Sequence, residues 1–238
     1  MSAPEKNVFA GKKTYIVLAI VISLFLGSSI FVNTLDSPRN SASKTENQSQ
    51  KDLAALLKQQ DTILFPQPIE ITDVPFINEE GLTVGKNENL GKWSFLFFGY
   101  TFCPDVCPTT LAVMQQTWVQ LSPDMQAQTQ VALVSVDIER DTPDQLKTYM
   151  DYFDPSFTAL TGNPSSLRSF AAQLNAVYAK VERKNKQGEA DDELGYLMDH
   201  SANIAILDPN GNYYGFIKPP FSPKKMLAIV TAIQSSSD

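Results

Sequence analysis

Residues 93–110 read Trp-Ser-Phe-Leu-Phe-Phe-Gly-Tyr-Thr-Phe-Cys-Pro-Asp-Val-Cys-Pro-Thr-Thr and contain both cysteines of the chain. The apolar run in this stretch predicts a strand that breaks at Gly99 and leads into a turn. Cys103 and Cys107 lie in that turn, and each is followed by a proline. We expect the next helix to begin at Pro108, since a proline farther inside a helix would remove a backbone donor.

The two cysteines are four residues apart, which makes them the chemical centre of the sequence. A turn of this kind brings two Cα atoms within the roughly 4.4–6.8 Å that a disulfide needs, or turns two sulfurs towards one metal ion. A permanent structural disulfide is the alternative, but it would close a short loop and stabilise the fold little. We expect Cys107, near the positive end of a helix, to have a lowered thiol pKa, and Cys103 to be the more exposed thiol.

Composition limits the classes of protein that fit. The 238 residues are 43% hydrophobic, which suffices for one well-buried domain with appendages. The net charge of -7 disfavours a nucleic-acid binder, because no basic block is present to neutralise phosphates. Two cysteines provide one pair or one site, and no disulfide framework.

The N-terminal region predicts a membrane attachment. Three lysines fall within residues 1–14, which we assign to the cytoplasm, and residues 15–32 carry no charge and predict a transmembrane anchor. A cleaved signal peptide is the alternative. Residues 33–60 predict a polar tether, and residues 61–238 the folded domain. Because the leader is not Arg-rich and acid-poor, we expect a bacterial inner-membrane protein with its C-terminal domain in the periplasm.

Strands and helices alternate along the folded domain. The predicted strands are residues 94–98, 130–137, 157–160, 177–181, 203–207 and 212–217, and the predicted helices are residues 52–58, 108–121, 143–153, 164–174 and 223–234. Thr142, Asn163 and Ser222 each precede a proline and predict helix caps. This order predicts an α/β fold with a mixed sheet and flanking helices, and the cysteine turn after the first long strand makes it thioredoxin-like.

His200 is the only histidine in the sequence, and it lies just before the apolar strand 203–207. We expect that strand to be central, so that a residue at its entrance faces the cysteine turn. Two thiolates and one imidazole form a soft three-coordinate site that suits Cu(I) and accepts Cu(II). Zinc would normally take a fourth ligand. Cys103, Cys107 and His200 are therefore the predicted metal ligands.

Other side chains near the site have simpler interpretations. Asp105 fits helix capping and electrostatic tuning of the thiols equally well. Asp137 and Asp141 are predicted to serve in a turn and a cap, with support of the metal ligands as the alternative. Met114 and Met198 are predicted to fill the core.

Three motifs carry a resemblance to a known family, and they occur at residues 98–108, at residues 134–143, and at Asp-His-Ser 199–201 followed by Leu-Asp-Pro-Asn-Gly 207–211. Over roughly residues 66–233 the sequence resembles the Sco/SenC proteins. These are thioredoxin-like, copper-binding factors that help to mature the CuA centre of cytochrome c oxidase. The resemblance implies that Cys103, Cys107 and His200 bind copper, and that the two cysteines form a reversible disulfide.

Two functions follow from these observations. The first is a membrane-tethered copper metallochaperone whose partner is the CuA-bearing oxidase subunit, with other copper chaperones or thiol reductants as further partners. The second is a thiol-disulfide oxidoreductase that keeps the cysteines of that subunit reduced, with Cys103 as nucleophile and Cys107 as resolving thiol. His200 discriminates between them, because copper binding needs an imidazole and exchange does not. A copper or redox sensor also fits the sequence, whereas the cysteine setting of a thiol peroxidase is absent.

Overall fold

The computed structural model describes residues 51, 53–55, 57–85, 90–183 and 195–236. Within those ranges every helix is too short or too polar to span a bilayer. The predicted cytoplasmic segment 1–14, the anchor 15–32 and most of the tether 33–60 lie outside the described residues. The chain divides into two units, residues 1–49 and 50–238, and the described residues all belong to the second.

After helical residues between 51 and 58, the described chain contains ten strands and five helices. The strands are β1 (Thr62–Ile69), β2 (Phe76–Asn78), β3 (Thr83–Val84), β4 (Trp93–Gly99), β5 (Thr129–Ser135), β6 (Thr158–Thr161), β7 (Tyr178–Glu182), β8 (Tyr196–His200), β9 (Ile204–Leu207) and β10 (Tyr213–Ile217). The helices are α1 (Val106–Trp118), α2 (Pro123–Ala127), α3 (Pro143–Asp151), α4 (Pro164–Gln173) and α5 (Pro223–Ser235).

Eight of the strands form one mixed sheet in the order β1-β10-β9-β4-β5-β6-β2-β3. Strand β4 pairs in parallel with β5 and antiparallel with β9, so it lies in the middle of the sheet. Strands β7 and β8 form a separate antiparallel pair. The predicted mixed α/β sheet is confirmed, and β9 is central as expected.

Strand β4 is the centre of the hydrophobic core. All of its residues, Trp93–Gly99, are buried, and the strand has a hydrogen-bonded neighbour on each side. Strands β9 and β5 are almost as fully buried. A strand buried on both faces reads as a continuous apolar run, which explains why the sequence located β4 so clearly.

The predicted helix caps are confirmed. The side chains of Thr142, Asn163 and Ser222 each accept hydrogen bonds from backbone N–H groups in the first turn of α3, α4 and α5. A proline follows each cap, where its missing N–H costs nothing because first-turn donors have no partner within the helix.

The predicted start of α1 was wrong. The helix begins at Val106, with Asp105 as its N-cap residue, two residues before Pro108. Pro108 is tolerated there because the third residue of a helix still has no acceptor for its N–H within the helix. Cys107 is therefore part of the first turn of α1, and the helix ends at Trp118 rather than at residue 121.

Candidate metal centre

The cysteine loop joins the end of β4 to the start of α1. The N–H of Cys103 donates to the carbonyl of Tyr100 at 3.3 Å, and the N–H of Cys107 donates to the Cys103 Sγ at 3.4 Å. The loop thus folds back onto the first turn of α1. A Cβ at Gly99 would lie 2.9 Å from the Cys107 Sγ, so this position requires glycine for the strand to approach the thiol.

His200 is the last residue of β8 and lies beside the cysteine loop. Its Nδ1 is 3.1 Å from the carbonyl oxygen of Ser201. Because a carbonyl oxygen only accepts, Nδ1 carries the proton and Nε2 presents its lone pair. That Nε2 lies 3.5 Å from the Cys107 Sγ. The ring of Tyr100 packs edge-on against the imidazole, with 6.0 Å between ring centroids.

The structure brings together the three side chains predicted as ligands. The sulfurs of Cys103 and Cys107 and a ring nitrogen of His200 all lie within 4.8 Å of one another. A trigonal metal site with bonds of the length found in zinc proteins would separate sulfur from nitrogen by roughly 3.7 Å. Both cysteines are buried and His200 is half-buried. The cluster therefore has the size and donor set of a three-coordinate site for a soft metal.

The two thiols share one hydrogen bond and titrate very differently. The Cys107 thiol donates to Cys103 and holds the pKa of Cys103 at about 4, with further help from backbone N–H groups. The same hydrogen bond and burial raise the pKa of Cys107. Ionisation of Cys107 as well would place two thiolates side by side, and their mutual repulsion disfavours this second ionisation.

The prediction that Cys107 has the lowered pKa was wrong. The N–H of Cys107 in the first turn of α1 donates to the sulfur of Cys103, and the Cys107 side chain itself is only 1% exposed. The helix N-terminus therefore stabilises a thiolate on Cys103. The prediction that Cys103 is the more exposed thiol is correct, at 8% exposure.

Asp141 holds the start of the cysteine loop through hydrogen bonds. Its carboxylate accepts hydrogen bonds from the backbone N–H of Thr101 at 3.1 Å, from the Thr101 hydroxyl at 2.7 Å and from the Ser135 hydroxyl at 2.6 Å. Burial raises the pKa of Asp141, and these donors oppose that effect. The turn interpretation of Asp141 was therefore incomplete, because the side chain fixes the segment two residues before Cys103.

Asp137 contacts the strand that carries His200. Its Oδ1 accepts from the hydroxyl of Tyr196 at 2.7 Å, and its Oδ2 forms an ion pair with Arg140. Sequence reasoning missed both Arg140 and Tyr196. Arg140 lies in one of the quoted motifs, but no local signal shows that it meets a tyrosine 56 residues farther along the chain.

The remaining candidates lie outside the group of three potential ligands. Asp105 occupies the N-cap position of α1, but its side chain accepts no helix N–H. Met114 and Met198 are buried in the core, as predicted.

An apolar cleft of about 250 Å³ opens beside Cys107 and His200. Its walls include Phe97, Val113 and Pro220. Phe102 and Val106, which flank the cysteines in sequence, are each about half exposed. The thiols are thus buried beneath an apolar rim that a second molecule can reach.

Known proteins resemble this chain in sequence and in fold. The sequence model of the SCO1/SenC family matches residues 68–235. An SCO2-like protein of Rickettsia conorii is 32% identical over 155 residues, covering 65% of this chain and 72% of its own length.

Two solved structures are also similar. The crystal structure of Arabidopsis thaliana ScoI with copper bound has a TM-score of 0.61 and 28% identity, and the match covers 69% of this chain and 98% of that one. The solution structure of apo Sco1 from Thermus thermophilus has a TM-score of 0.58 and 32% identity, and the match covers 74% of this chain and 94% of that one.

Proposed function

This chain belongs to the SCO1/SenC family, and we propose on that premise that it is a copper metallochaperone for cytochrome c oxidase. It binds one copper ion through Cys103, Cys107 and His200 and delivers it to the subunit that carries CuA. The observation that carries the proposal is the convergence of two sulfurs and one imidazole nitrogen within 4.8 Å.

The donor set suits copper, and its three ligands are one fewer than zinc normally takes. Thiolates select soft ions such as Cu(I), and an imidazole also suits Cu(II). The Nε2 of His200 already presents its lone pair, because Nδ1 donates to the Ser201 carbonyl. Cys103 is ionised at neutral pH, whereas Cys107 must lose its proton when the metal binds.

The surroundings of the site suit transfer as well as binding. Three ligands leave a coordination position for an incoming thiolate of the partner, so that copper passes between proteins without being released into solvent. The half-exposed Phe102 and Val106 provide apolar surface around the ligands. Such surface can exclude water while ligands exchange.

We further propose that residues 15–32 anchor the chain in a bacterial inner membrane, with residues 61–238 in the periplasm. The uncharged stretch and the preceding lysines support this topology. Protease treatment of spheroplasts tests it, because the C-terminal domain should be degraded while a cytoplasmic marker survives. Protection of that domain would contradict the topology.

Thiol-disulfide exchange is the second candidate function, since Cys103, with a pKa of about 4, is present at neutral pH as the thiolate that attacks a disulfide. The Cys103 thiolate attacks a disulfide of the partner, forming a mixed disulfide and releasing one partner thiolate. The Cys107 thiol then loses its proton and attacks the Cys103 sulfur, releasing the second partner thiolate. Two electrons pass to the partner, and Cys103 and Cys107 end as a disulfide.

The test compares the wild-type chain with the variants Cys103→Ala, Cys107→Ala and His200→Ala. Each reduced protein is titrated with Cu(I) without oxygen against a competing chelator, and is then mixed with the copper-free CuA subunit. One tightly bound copper per chain, weakened in all three variants and transferred by the wild type, supports the chaperone. If His200→Ala binds copper normally, the ligand assignment fails. If only reduction of an oxidised CuA subunit is observed, exchange becomes the principal function.

A further inference from the structure

His200 lies on a strand that has no backbone ladder to the main sheet. Among the described strands, β8 pairs only with β7, and the large sheet contains neither of them. Side-chain contacts of β8 therefore help to fix how closely His200 approaches the cysteines, together with the short connection from His200 to Ile204 of β9.

Three side chains on one face of β8 connect the strand to the rest of the fold. In a strand, every second side chain lies on the same side, so Tyr196, Met198 and His200 share a face. Met198 is buried in the core and His200 meets the thiols. Tyr196 is the third attachment, about 13 Å from His200 along the strand at the usual rise per residue.

Arg140 holds Tyr196 in several ways at once. Its guanidinium carbon lies 3.7 Å from the centre of the Tyr196 ring, and its Nη1 donates to the Tyr196 carbonyl at 3.3 Å. Its Nε pairs with Asp137, whose other oxygen accepts from the Tyr196 hydroxyl. Arg140 also lies 4.8 Å from the ring centre of Phe102, the residue before Cys103.

We propose that Arg140 is a positioning residue that, together with Asp137, fixes the start of β8 and so holds His200 at bonding distance from the cysteines. The proposal rests on the copper-binding function above. Arg140 contacts both the cysteine loop, through Phe102, and the histidine strand, through Tyr196. It thereby connects the two chain segments that must meet at the metal.

The geometry requires arginine rather than any cation. Its planar fork pairs with Asp137, donates to the Tyr196 carbonyl and stacks on the ring, which a lysine ammonium cannot do together. A second cation, Lys180, also lies over the Tyr196 ring, at 3.9 Å. Lys180 is 45% exposed and pairs with the exposed Glu139, so it serves as a matched control.

The first experiment needs no metal. His200 is the only histidine of the chain, so its ring signals identify themselves in an NMR spectrum of the reduced, copper-free protein expressed without a histidine tag. The variants Arg140→Lys and Tyr196→Phe are expected to shift these signals towards an averaged mixture of tautomers, while Lys180→Met leaves them unchanged. Unaltered ring signals in both Arg140→Lys and Tyr196→Phe would overturn the proposal.

The second experiment measures Cu(I) affinity in a double-mutant cycle. Arg140→Lys is expected to weaken binding about 10- to 100-fold in the wild-type background, the range for residues that orient a metal ligand. In the His200→Ala background the same change is expected to cost less than about twofold, since no imidazole remains to be positioned.

The outcomes separate this inference from the proposed function. Equal weakening in both backgrounds would show a general structural role of Arg140 and overturn the inference. If His200→Ala alone has no effect on Cu(I) affinity, the ligand assignment fails, whereas the ring signals still decide whether Arg140 positions His200.

Discussion

Copper binding to this chain should release one proton at neutral pH, and that proton should come from Cys107. Cys103, with a pKa of about 4, is ionised throughout the neutral range. Burial and the hydrogen bond to Cys103 raise the pKa of Cys107, so its proton must leave when both sulfurs bind the metal. Two ordinary thiols, with pKa values near about 8.5, would instead release about two protons at pH 7.

The direction and size of the pH dependence of Cu(I) affinity follow from these two pKa shifts. A lowered pKa at Cys103 means that no proton competes with copper for that sulfur above about pH 4. A raised pKa at Cys107 means that a proton competes at neutral and mildly alkaline pH. The affinity for Cu(I) should therefore rise about tenfold per pH unit, or about 100-fold from pH 7 to pH 9.

The assay is an anaerobic competition titration at pH 7, 8 and 9 against a chelator of known pH dependence, with proton release measured in weak buffer. The control is Cys107→Ser, whose hydroxyl can still donate to the Cys103 sulfur and keep it ionised, so the affinity should be nearly independent of pH over this range. Release of two protons per copper at pH 7, or an affinity of the wild type that does not change with pH, would refute the assignment of a single proton to the two thiols, carried by Cys107.

Two further predictions concern stability. Gly99→Ala places a Cβ 2.9 Å from both the Cys107 Sγ and a Leu133 methyl group. We expect a loss of about 1–3 kcal/mol in the free energy of unfolding by urea, together with weaker Cu(I) binding. Gly162→Ala is the control, since its Cβ would lie 3.4 Å from Phe76, an ordinary contact, and the change should be under about 1 kcal/mol. Equal stability of the two variants would contradict the close approach at Gly99. Asn163→Ala removes the acceptor of two N–H groups at the start of α4 and should cost about 1 kcal/mol, or roughly 2–4 °C in Tm, with unchanged copper affinity. A change in copper affinity would contradict this prediction, because it would show that the cap of α4 affects the geometry of the metal ligands.

The sequence located the site because its signals are local. An apolar run led to β4, two cysteines followed it, and one histidine preceded another apolar run. Helix starts at α3, α4 and α5 were equally clear, since a capping residue and a proline together specify the first turn. The bounds of most predicted elements therefore differ from the structure by one or two residues.

The parts that sequence reasoning missed depend on contacts between distant residues. Strand β8 was not predicted, because its neighbours Gly195 and Ser201 do not mark a strand and its partner β7 lies across a polar segment. The contact of Arg140 with Tyr196 has no local signature. The sequence predicted the lower pKa for the wrong thiol. The order of the two pKa values depends on which sulfur faces the N–H groups of α1, and the spacing of the cysteines does not determine that.

X-ray absorption spectroscopy of the Cu(I)-loaded full chain tests the central claim most directly. We expect two sulfur neighbours and one nitrogen neighbour around copper in the wild type, and loss of the nitrogen neighbour in His200→Ala while both sulfurs remain. A site with sulfur neighbours alone in the wild type, or a nitrogen neighbour that survives His200→Ala, would contradict the assignment of Cys103, Cys107 and His200 as the copper ligands.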